Sequence, residues 1–334
     1  MAMIRAWIQG TPFNPATDIP SLEGKVIIVT GGNAGLGYAQ LQHLIENGVK
    51  AKVYLGARSE SKANEAIKAL EATSPVGTKV HWLPLDLTDL TSVRTAAETI
   101  KRDNYRLDIL VNNAGIMLHP PGLTKDGYEL QFGTNHVGHF LFTRLLLPLL
   151  QKTAADPKND VRIINLTSEG HKMAPSGGFK PETAKTDMSD YMSMRRYGQS
   201  KLANHLFTVE LVNRYPEITS VSIHPGGVMT NLSNEFQKNH PILSGALMWL
   251  FRLLAPTAPE GSLNQTWATV ADVEGKEATL GSKCEKKVVT GSYYVPVAKI
   301  GSTTSYAKDE GLAKKLWEWS EEQMQGKGFL SGEA

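Results

Sequence analysis

The sequence predicts an α/β fold in which helices flank one doubly wound parallel sheet. Short apolar runs alternate along the chain with segments of helical spacing, as expected when each strand is followed by a crossover helix. A cluster of glycines separates the first such run from the first such segment. Neither internal repeats nor an interdomain linker interrupts the pattern. Residues 23–300 are therefore predicted to form one domain, preceded by an arm at 1–22 and followed by a helical tail at 301–334.

The predicted strands are short apolar runs bounded by glycine, proline or polar residues. Residues 26–29 (VIIV) are continuous and β-branched, which is typical of a strand buried on both faces of a parallel sheet. By the same criteria, further strands are predicted at 51–57, 79–85, 108–113, 162–167, 220–224 and 292–297.

The segments between these strands carry apolar residues at helical spacing. The first has Tyr38, Leu41, Leu44 and Ile45 on one face, so it predicts an amphipathic helix. Prolines at 12, 15 and 20 predict an irregular arm. Residues 170–196 are predicted to be a loop and 228–260 a mobile lid. Helices are predicted at 38–45, 61–72, 90–102, 128–150, 197–214 and 263–270.

The composition is that of an ordinary globular protein and argues against several classes of function. A formal net charge of +2 over 334 residues gives no reason to expect a nucleic-acid partner. The most apolar stretch, 241–256, is too short to span a membrane and contains Arg252. The first 20 residues lack the hydrophobic region of a signal peptide, and the single cysteine excludes an intrachain disulfide. We therefore expect a cytoplasmic protein.

The segment TGGNAGLG at 30–37 joins the first strand to the first helix. Glycines there permit positive φ, and without a Cβ they let backbone amides and the helix N-terminus approach a pyrophosphate. The order strand, glycine turn, helix indicates a dinucleotide-binding loop. Its spacing, Thr-Gly-x-x-x-Gly-x-Gly, differs from the GxGxxG of many dehydrogenases. The alternative is a tight turn that binds nothing.

Ligands of doubly wound sheets bind at the carboxyl ends of the strands, so residues at those ends are candidates. The second strand ends at Arg58, whose planar guanidinium suits the 2′-phosphate of NADP, whereas NAD-binding folds place an acidic residue there. Asn33 and Lys62 are expected to assist it. NADP(H) is therefore the predicted cofactor. The alternative is that Arg58 is a solvated loop charge.

Several further motifs stand in order on the predicted strand ends and helices. They are LDL at 85–87, NNAG at 112–115, NHVGHF from Asn135, LTS at 166–168, YGQSK at 197–201 and PGGV at 225–228. With the glycine turn, they make residues 24–297 resemble the short-chain dehydrogenase/reductase family, whose members have a Rossmann-type fold. GARS at 56–59 and the long segment between Ser168 and Tyr197 are similar to the branch of retinol dehydrogenases and WW-domain oxidoreductases. Many fungal biosynthetic reductases of secondary metabolism resemble that branch too.

The predicted chemistry is hydride transfer coupled to proton transfer. Tyr197 is the candidate acid/base, and Lys201, one helical turn on, is expected to lower the pKa of the phenol. Ser168 is expected to hydrogen-bond the substrate oxygen. The resemblance implies that Asn135 holds a helix backbone open to a water in a proton relay. Seen alone, each of these residues reads as an ordinary surface group.

The predicted cofactor-binding residues combine these motifs. The resemblance places Asp86 and Leu87 beside the adenine, the NNAG residues beside the ribose, and 225–230 beside the nicotinamide amide. The full set is Gly31, Asn33, Gly35, Leu36, Gly37, Arg58, Lys62, Asp86, Leu87, Asn113, Ala114, Gly115, Tyr197, Lys201, Pro225, Gly226, Val228 and Thr230. His136 and His139 have no evident third ligand, so they are read as structural and no metal is predicted.

We therefore expect an NADP(H)-dependent oxidoreductase that interconverts an apolar ketone or aldehyde with an alcohol, such as a polyketide, terpenoid or retinoid-like molecule. The rival is a cofactor-binding regulatory or non-redox protein on the same fold. The apolar part of the lid, 241–256, either covers substrate, packs in the core, forms a dimer surface or contacts a membrane peripherally. Residues 169–196 are expected to form another wall of the pocket. Members of that family commonly pair through the helices that here carry Asn135 and Tyr197, so a homodimer is one alternative, and the sequence itself leaves the oligomeric state open.

Overall fold

The computed structural model describes residues 13–227, 256–276 and 280–331. Within them a single sheet has the strand order β3-β2-β1-β4-β5-β6-β7-β8. This arrangement confirms the predicted doubly wound α/β fold. The strands are β1 (Val26–Thr30), β2 (Lys52–Ala57), β3 (Val80–Pro84), β4 (Ile109–Asn112), β5 (Arg162–Leu166), β6 (Thr219–Ile223), β7 (Tyr293–Val295) and β8 (Lys299–Ile300).

The sheet departs from the prediction at its last strand. Neighbouring strands from β3 through β7 pair in parallel, but β8 pairs antiparallel to β7 through Tyr294 with Ile300 and Val295 with Lys299. Ala298, between the two strands, has φ 57°, so the chain reverses there instead of continuing the predicted strand. The reversal comes just after Pro296, at the end of the strand predicted at 292–297.

The main helices cover both faces of the sheet. One apolar layer joins α1, α2 and α6 to the sheet, with Leu41, Leu70 and Trp267 buried. The other joins α3, α4, α5 and α7, with Phe140 and Trp317 buried. These helices are α1 (Gly35–Glu46), α2 (Glu60–Ala72), α3 (Leu90–Asp103), α4 (Gly138–Ala154), α5 (Ser193–Arg214), α6 (Ala258–Val270) and α7 (Glu310–Gly326).

The helix predicted at 128–150 is divided. A single turn, Leu130–Phe132, is followed by a π-helical turn, Gly133–Val137, and then by α4. Two glycines bracket the π turn at close contacts. A Cβ on Gly133 would lie 2.5 Å from Thr124 Cγ2, and one on Gly138 would lie 2.6 Å from the Leu87 carbonyl oxygen. Contacts with residues remote in sequence therefore accompany the widened turn, which helical periodicity alone does not predict.

The observed bounds of several other elements also differ from the predicted ones. The predicted loop 170–196 begins with a 3₁₀ turn, Glu169–Met173, and ends inside α5. Helix α6 begins within the predicted lid because Thr257 and Glu260 form a capping box. The lid residues 228–255 lie outside the described residues. The described part of the arm contains a short helix, Pro15–Asp18, and its Phe13 and Leu22 are buried in the core.

The strand order reverses beside β1, which lies between β2 and β4. Ligands of doubly wound sheets bind at such a switch point, outside the carboxyl ends of the strands. The register places Thr30 opposite Gly56, and Val29 opposite Val111, so the glycine turn and the NNAG segment emerge side by side. In the described ranges no helix combines the length and the apolar character that crossing a bilayer requires.

Candidate active site

The glycine turn has the shape that an anion-binding loop requires. Gly31 has φ 67°, a conformation that favours glycine. A Cβ on Gly37 would lie 2.5 Å from Asn113 Nδ2 and 2.6 Å from the Gly31 carbonyl oxygen, so only glycine lets α1 approach this closely. Helix α1 begins at Gly35, and the N-cap residue Ala34 makes no side-chain hydrogen bond to its first turn. The first amides of α1, with Asn33 and Leu36 beside them, therefore suit a pyrophosphate.

Thr30 fixes the turn to the end of β4. Its Oγ1 accepts hydrogen bonds from the backbone amides of Asn113 (3.0 Å) and Ala114 (2.9 Å). The Asn113 side chain donates from Nδ2 to the Thr30 carbonyl oxygen (2.7 Å). Thr30 belongs to the TGGNAGLG motif, but the sequence pattern alone did not predict a role for it. Its position directly before the glycine turn, at a strand end, is the signal that could have identified it.

Those of the remaining predicted cofactor residues that the structure describes lie along the same edge of the sheet. Arg58 and Lys62 are exposed after β2, and Leu87 is buried after β3. Asp86 Oδ1 accepts from the Thr88 amide (3.0 Å) and hydroxyl (2.7 Å), which turns the chain at that point. Pro225 and Gly226 follow the end of β6 after one residue, His224. Val228 and Thr230 lie outside the described residues.

Helix α5 and the end of β5 bring Tyr197, Ser168 and Lys201 together. Tyr197 is buried, and its phenol and the Ser168 side chain are hydrogen-bonded. The Gly170 amide donates to Ser168 Oγ (3.0 Å), which orients the serine. Lys201 Nζ lies 5.8 Å from the centroid of the Tyr197 ring and donates to the Leu166 carbonyl oxygen (3.1 Å). A phenol, a hydroxyl and an ammonium thus share one buried location.

Burial shifts the pKa values of these groups in opposite directions. It raises the pKa of Tyr197 to about 12, and the hydrogen bond with Ser168, which lowers it, offsets only part of that rise. Burial lowers the pKa of Lys201 to about 8. In the protein chain alone the pKa of the phenol is therefore raised overall, because desolvation of the buried phenolate is the dominant cause. At neutral pH the phenol keeps its proton.

Asn135 is fully buried in the π turn and links three segments. Its Oδ1 accepts from the Ile116 amide (2.8 Å), and its Nδ2 donates to the Ile116 carbonyl oxygen (2.9 Å) and to Ser200 Oγ (2.9 Å). A Cβ on Gly115 would lie 3.2 Å from Asn135 Oδ1 and 3.3 Å from Lys201 Nζ, so the NNAG segment passes between the two. Two of the four predicted catalytic residues, Asn135 and Lys201, therefore meet at Gly115.

The two histidines of the NHVGHF motif have different surroundings. His136 is buried against Phe132, Phe140 and Phe207, and burial lowers its pKa to about 3. His139 instead hydrogen-bonds through both ring nitrogens, to Thr30 and to the carbonyl oxygen of Asn135. His136 therefore packs as a neutral ring in an aromatic cluster, whereas His139 lies within the polar network of the candidate site.

Comparison with known proteins gives a consistent picture. A family model described as short chain dehydrogenase matches residues 25–241. A short-chain dehydrogenase/reductase of Armillaria gallica is 42% identical over 309 residues, which cover 92% of each chain. Human retinol dehydrogenase 11 is 32% identical over 306 residues, covering 91% of this chain and 87% of its own. A crystal structure of an uncharacterized protein from Mycobacterium Paratuberculosis has a TM-score of 0.69 at 29% identity, covering 94% of this chain and 97% of that one.

Proposed function

Because the chain belongs to the short-chain dehydrogenase/reductase family, we propose that it uses NADP(H) to interconvert an apolar ketone or aldehyde with the corresponding alcohol. Membership of the family makes the chain an oxidoreductase that binds a nicotinamide cofactor and acts on small molecules. The observation that carries the proposal is the group of Tyr197, Ser168 and Lys201, in which Lys201 Nζ lies next to Gly115 of the NNAG segment and that segment contacts the glycine turn at Gly31.

The residues along the switch point fit a dinucleotide. The close approach at Gly37 and the start of α1 leave backbone amides to hold the pyrophosphate, with Gly31, Asn33, Gly35 and Leu36 completing the loop. Arg58 and Lys62 are exposed cations after β2, where a 2′-phosphate would lie. We assign Asp86 and Leu87 to the adenine, Asn113, Ala114 and Gly115 to the ribose, and Pro225, Gly226, Val228 and Thr230 to the nicotinamide amide. When bound, the cofactor supplies or accepts the hydride.

In the direction of reduction, this chain's residues handle the oxygen and its proton. The Ser168 hydroxyl donates a hydrogen bond to the substrate carbonyl oxygen and stabilises the charge that develops there. Tyr197, protonated at neutral pH, gives its proton to that oxygen as the carbonyl carbon is reduced. The Lys201 ammonium, close to the phenol ring, stabilises the phenolate that remains. Asn135 holds the backbone of the NNAG loop against α5.

An apolar substrate is supported by two observations. A relative with 32% identity is a retinol dehydrogenase, and retinol is an apolar alcohol. The sequence between β6 and α6 also contains the apolar run PILSGALMWLF at 241–251. Apolar side chains of this kind are typical of pockets that bind such ligands.

Substitution of Tyr197 tests the proposal. Tyr197→Phe removes the proton donor while keeping the ring, so we expect kcat for reduction of apolar ketones to fall about 10²- to 10⁴-fold. NADPH binding, measured by fluorescence titration, should stay close to the wild-type value. Tyr105→Phe, at an exposed tyrosine, is the matched control and should retain full activity.

Retention of full activity by Tyr197→Phe would exclude the proposed role of the phenol. The rival, a cofactor-binding regulatory or non-redox protein, predicts instead that wild-type protein binds NADPH but consumes none with a broad panel of apolar ketones and aldehydes. Absorbance of NADPH measured across that panel distinguishes the two functions.

A further inference from the structure

His139 connects the two halves of the candidate site. It lies on α4, one turn after Asn135, and is only 2% exposed. Its Nε2 is 2.8 Å from Thr30 Oγ1, and its Nδ1 is 2.9 Å from the carbonyl oxygen of Asn135. One imidazole therefore bridges the end of β1, which carries the glycine turn, and the π turn that carries Asn135.

The hydrogen-bond chemistry fixes the tautomer of this ring. A carbonyl oxygen only accepts, so Nδ1 must carry the proton that bonds Asn135. Burial lowers the pKa of His139 to about 4, so the ring is neutral at physiological pH and Nε2 has an acceptor lone pair. The Thr30 hydroxyl then donates to Nε2.

The Thr30 hydroxyl also holds the backbone that follows β4. Thr30 Oγ1 already accepts from two backbone amides, those of Asn113 and Ala114, so its lone pairs point toward β4. The other acceptor near its hydrogen, the Val111 carbonyl oxygen, is farther away at 3.4 Å. His139 therefore sets the direction of the Thr30 hydrogen, and with it the geometry of the two amides that follow β4.

We infer that His139 is a positioning residue for the oxidoreductase site and couples the cofactor loop to the π turn that carries Asn135. The hydrogen bonds run from the amides of Asn113 and Ala114 to the Thr30 hydroxyl. They continue from that hydroxyl to the His139 imidazole, and from the imidazole to the Asn135 carbonyl oxygen. This inference rests on the proposed function. The Thr30 end shapes the NNAG segment assigned to the cofactor. The Asn135 end holds the turn whose side chain bonds Ile116 and Ser200, next to Tyr197 on α5.

The tautomer is tested without turnover. In ¹⁵N-histidine-labelled full-length protein, His139 should show a protonated Nδ1 and an unprotonated Nε2 throughout the neutral pH range. Thr30→Val should shift the Nε2 resonance and leave the resonances of His136 unchanged, since His136 lies in the aromatic cluster. A protonated Nε2, or no response to Thr30→Val, would overturn the bridge whatever the outcome for Tyr197→Phe.

Two conservative variants of His139 test its hydrogen bond to Thr30 and its hydrogen bond to Asn135 separately. His139→Gln places an amide near the Nε2 position and keeps a partner for Thr30 but removes the donor to Asn135. We expect its KM for NADPH to stay near the wild-type value and its kcat to fall about tenfold or more. His139→Asn places its amide near the Nδ1 position, so we expect the converse, a KM for NADPH raised about tenfold and little change in kcat.

His136→Asn is the matched control, because it removes a buried histidine from the same segment without touching Thr30 or the Asn135 carbonyl. It should lower the melting temperature with neither kinetic signature. His139 has only a packing role if His139→Gln and His139→Asn change kcat and KM alike, in proportion to their loss of thermal stability. The same conclusion follows if His139→Phe retains wild-type kinetics.

Discussion

At the scale of single residues, burial raises the pKa of the proposed acid, Tyr197, and lowers the pKa of the neighbouring cation, Lys201. The phenol of Tyr197, with a pKa raised to about 12, remains protonated across the physiological range. The ammonium of Lys201, with a pKa lowered to about 8, remains mostly charged at pH 7 but titrates just above it. A group that holds its proton until charge appears on a neighbouring oxygen is suited to donate it. In the direction of reduction, Tyr197 therefore starts in the protonated form that the proposed proton transfer requires.

Arg58 carries the proposed preference for NADPH. Its guanidinium is exposed where β2 ends, and charge-assisted hydrogen bonds to a phosphate are among the stronger ones. We expect Arg58→Ala to weaken NADPH binding about tenfold or more and to leave NADH binding nearly unchanged. Arg102→Ala, at an exposed arginine near the end of α3, is the control. Fluorescence titration with both nucleotides measures the effect, and tighter binding of NADH than of NADPH by wild-type protein would contradict the assignment.

At the scale of elements, a buried ion pair holds the start of α5 to Glu129, the residue before the Leu130–Phe132 turn. Arg196, which precedes Tyr197, is 2% exposed and its Nε lies 3.3 Å from Glu129 Oε1. Its guanidinium also donates to the carbonyl oxygens of Tyr191 (2.7 Å) and His119 (2.7 Å). One side chain thus ties the start of α5 to the loop after β4, directly beside the proposed acid.

Removing Arg196 leaves Glu129 buried and unpaired. We expect Arg196→Met to lower the free energy of unfolding by about 3–5 kcal/mol, and Arg196→Met with Glu129→Gln to recover part of the loss because the buried charge is also removed. Arg195→Met, at the exposed neighbour, is the control. Urea unfolding measures the three variants. A double variant no more stable than Arg196→Met would show that the unpaired carboxylate is not the cause.

The sequence predicted the elements whose signals are local. Strands such as β1 are continuous β-branched runs that a doubly covered sheet buries, and the residues at their ends follow from that assignment. The π turn and the tautomer of His139 depend on neighbours distant in the chain, Leu87 against Gly138 and Thr30 against the imidazole. The pKa of Tyr197 likewise depends on how deeply α5 is buried, which spacing alone does not give.

At the scale of the whole molecule, the last helix of the chain covers a face that the resemblance assigned to a partner. Trp317 of α7 stacks on Phe207 at 5.6 Å between ring centroids and meets Phe140 edge-on at 5.3 Å. The guanidinium groups of Arg144 and Arg214 lie over its indole at 5.4 and 4.8 Å. The part of α4 and α5 around Phe140 and Phe207, on the helices expected to pair two subunits, is therefore covered by the chain itself.

A stable pair of subunits buries about 800 Å² on each partner, and α7 occupies the part of this face that contains Phe140 and Phe207. We therefore expect sedimentation equilibrium of the full chain to give the mass of one chain, 36.5 kDa. Trp317→Ala should cost about 3–5 kcal/mol of stability and uncover Phe140 and Phe207, so that association then rises with protein concentration. Lys314→Ala, at an exposed position of the same helix, should change neither property. A wild-type dimer cross-linked through α4 and α5 would show that α7 leaves this face in solution.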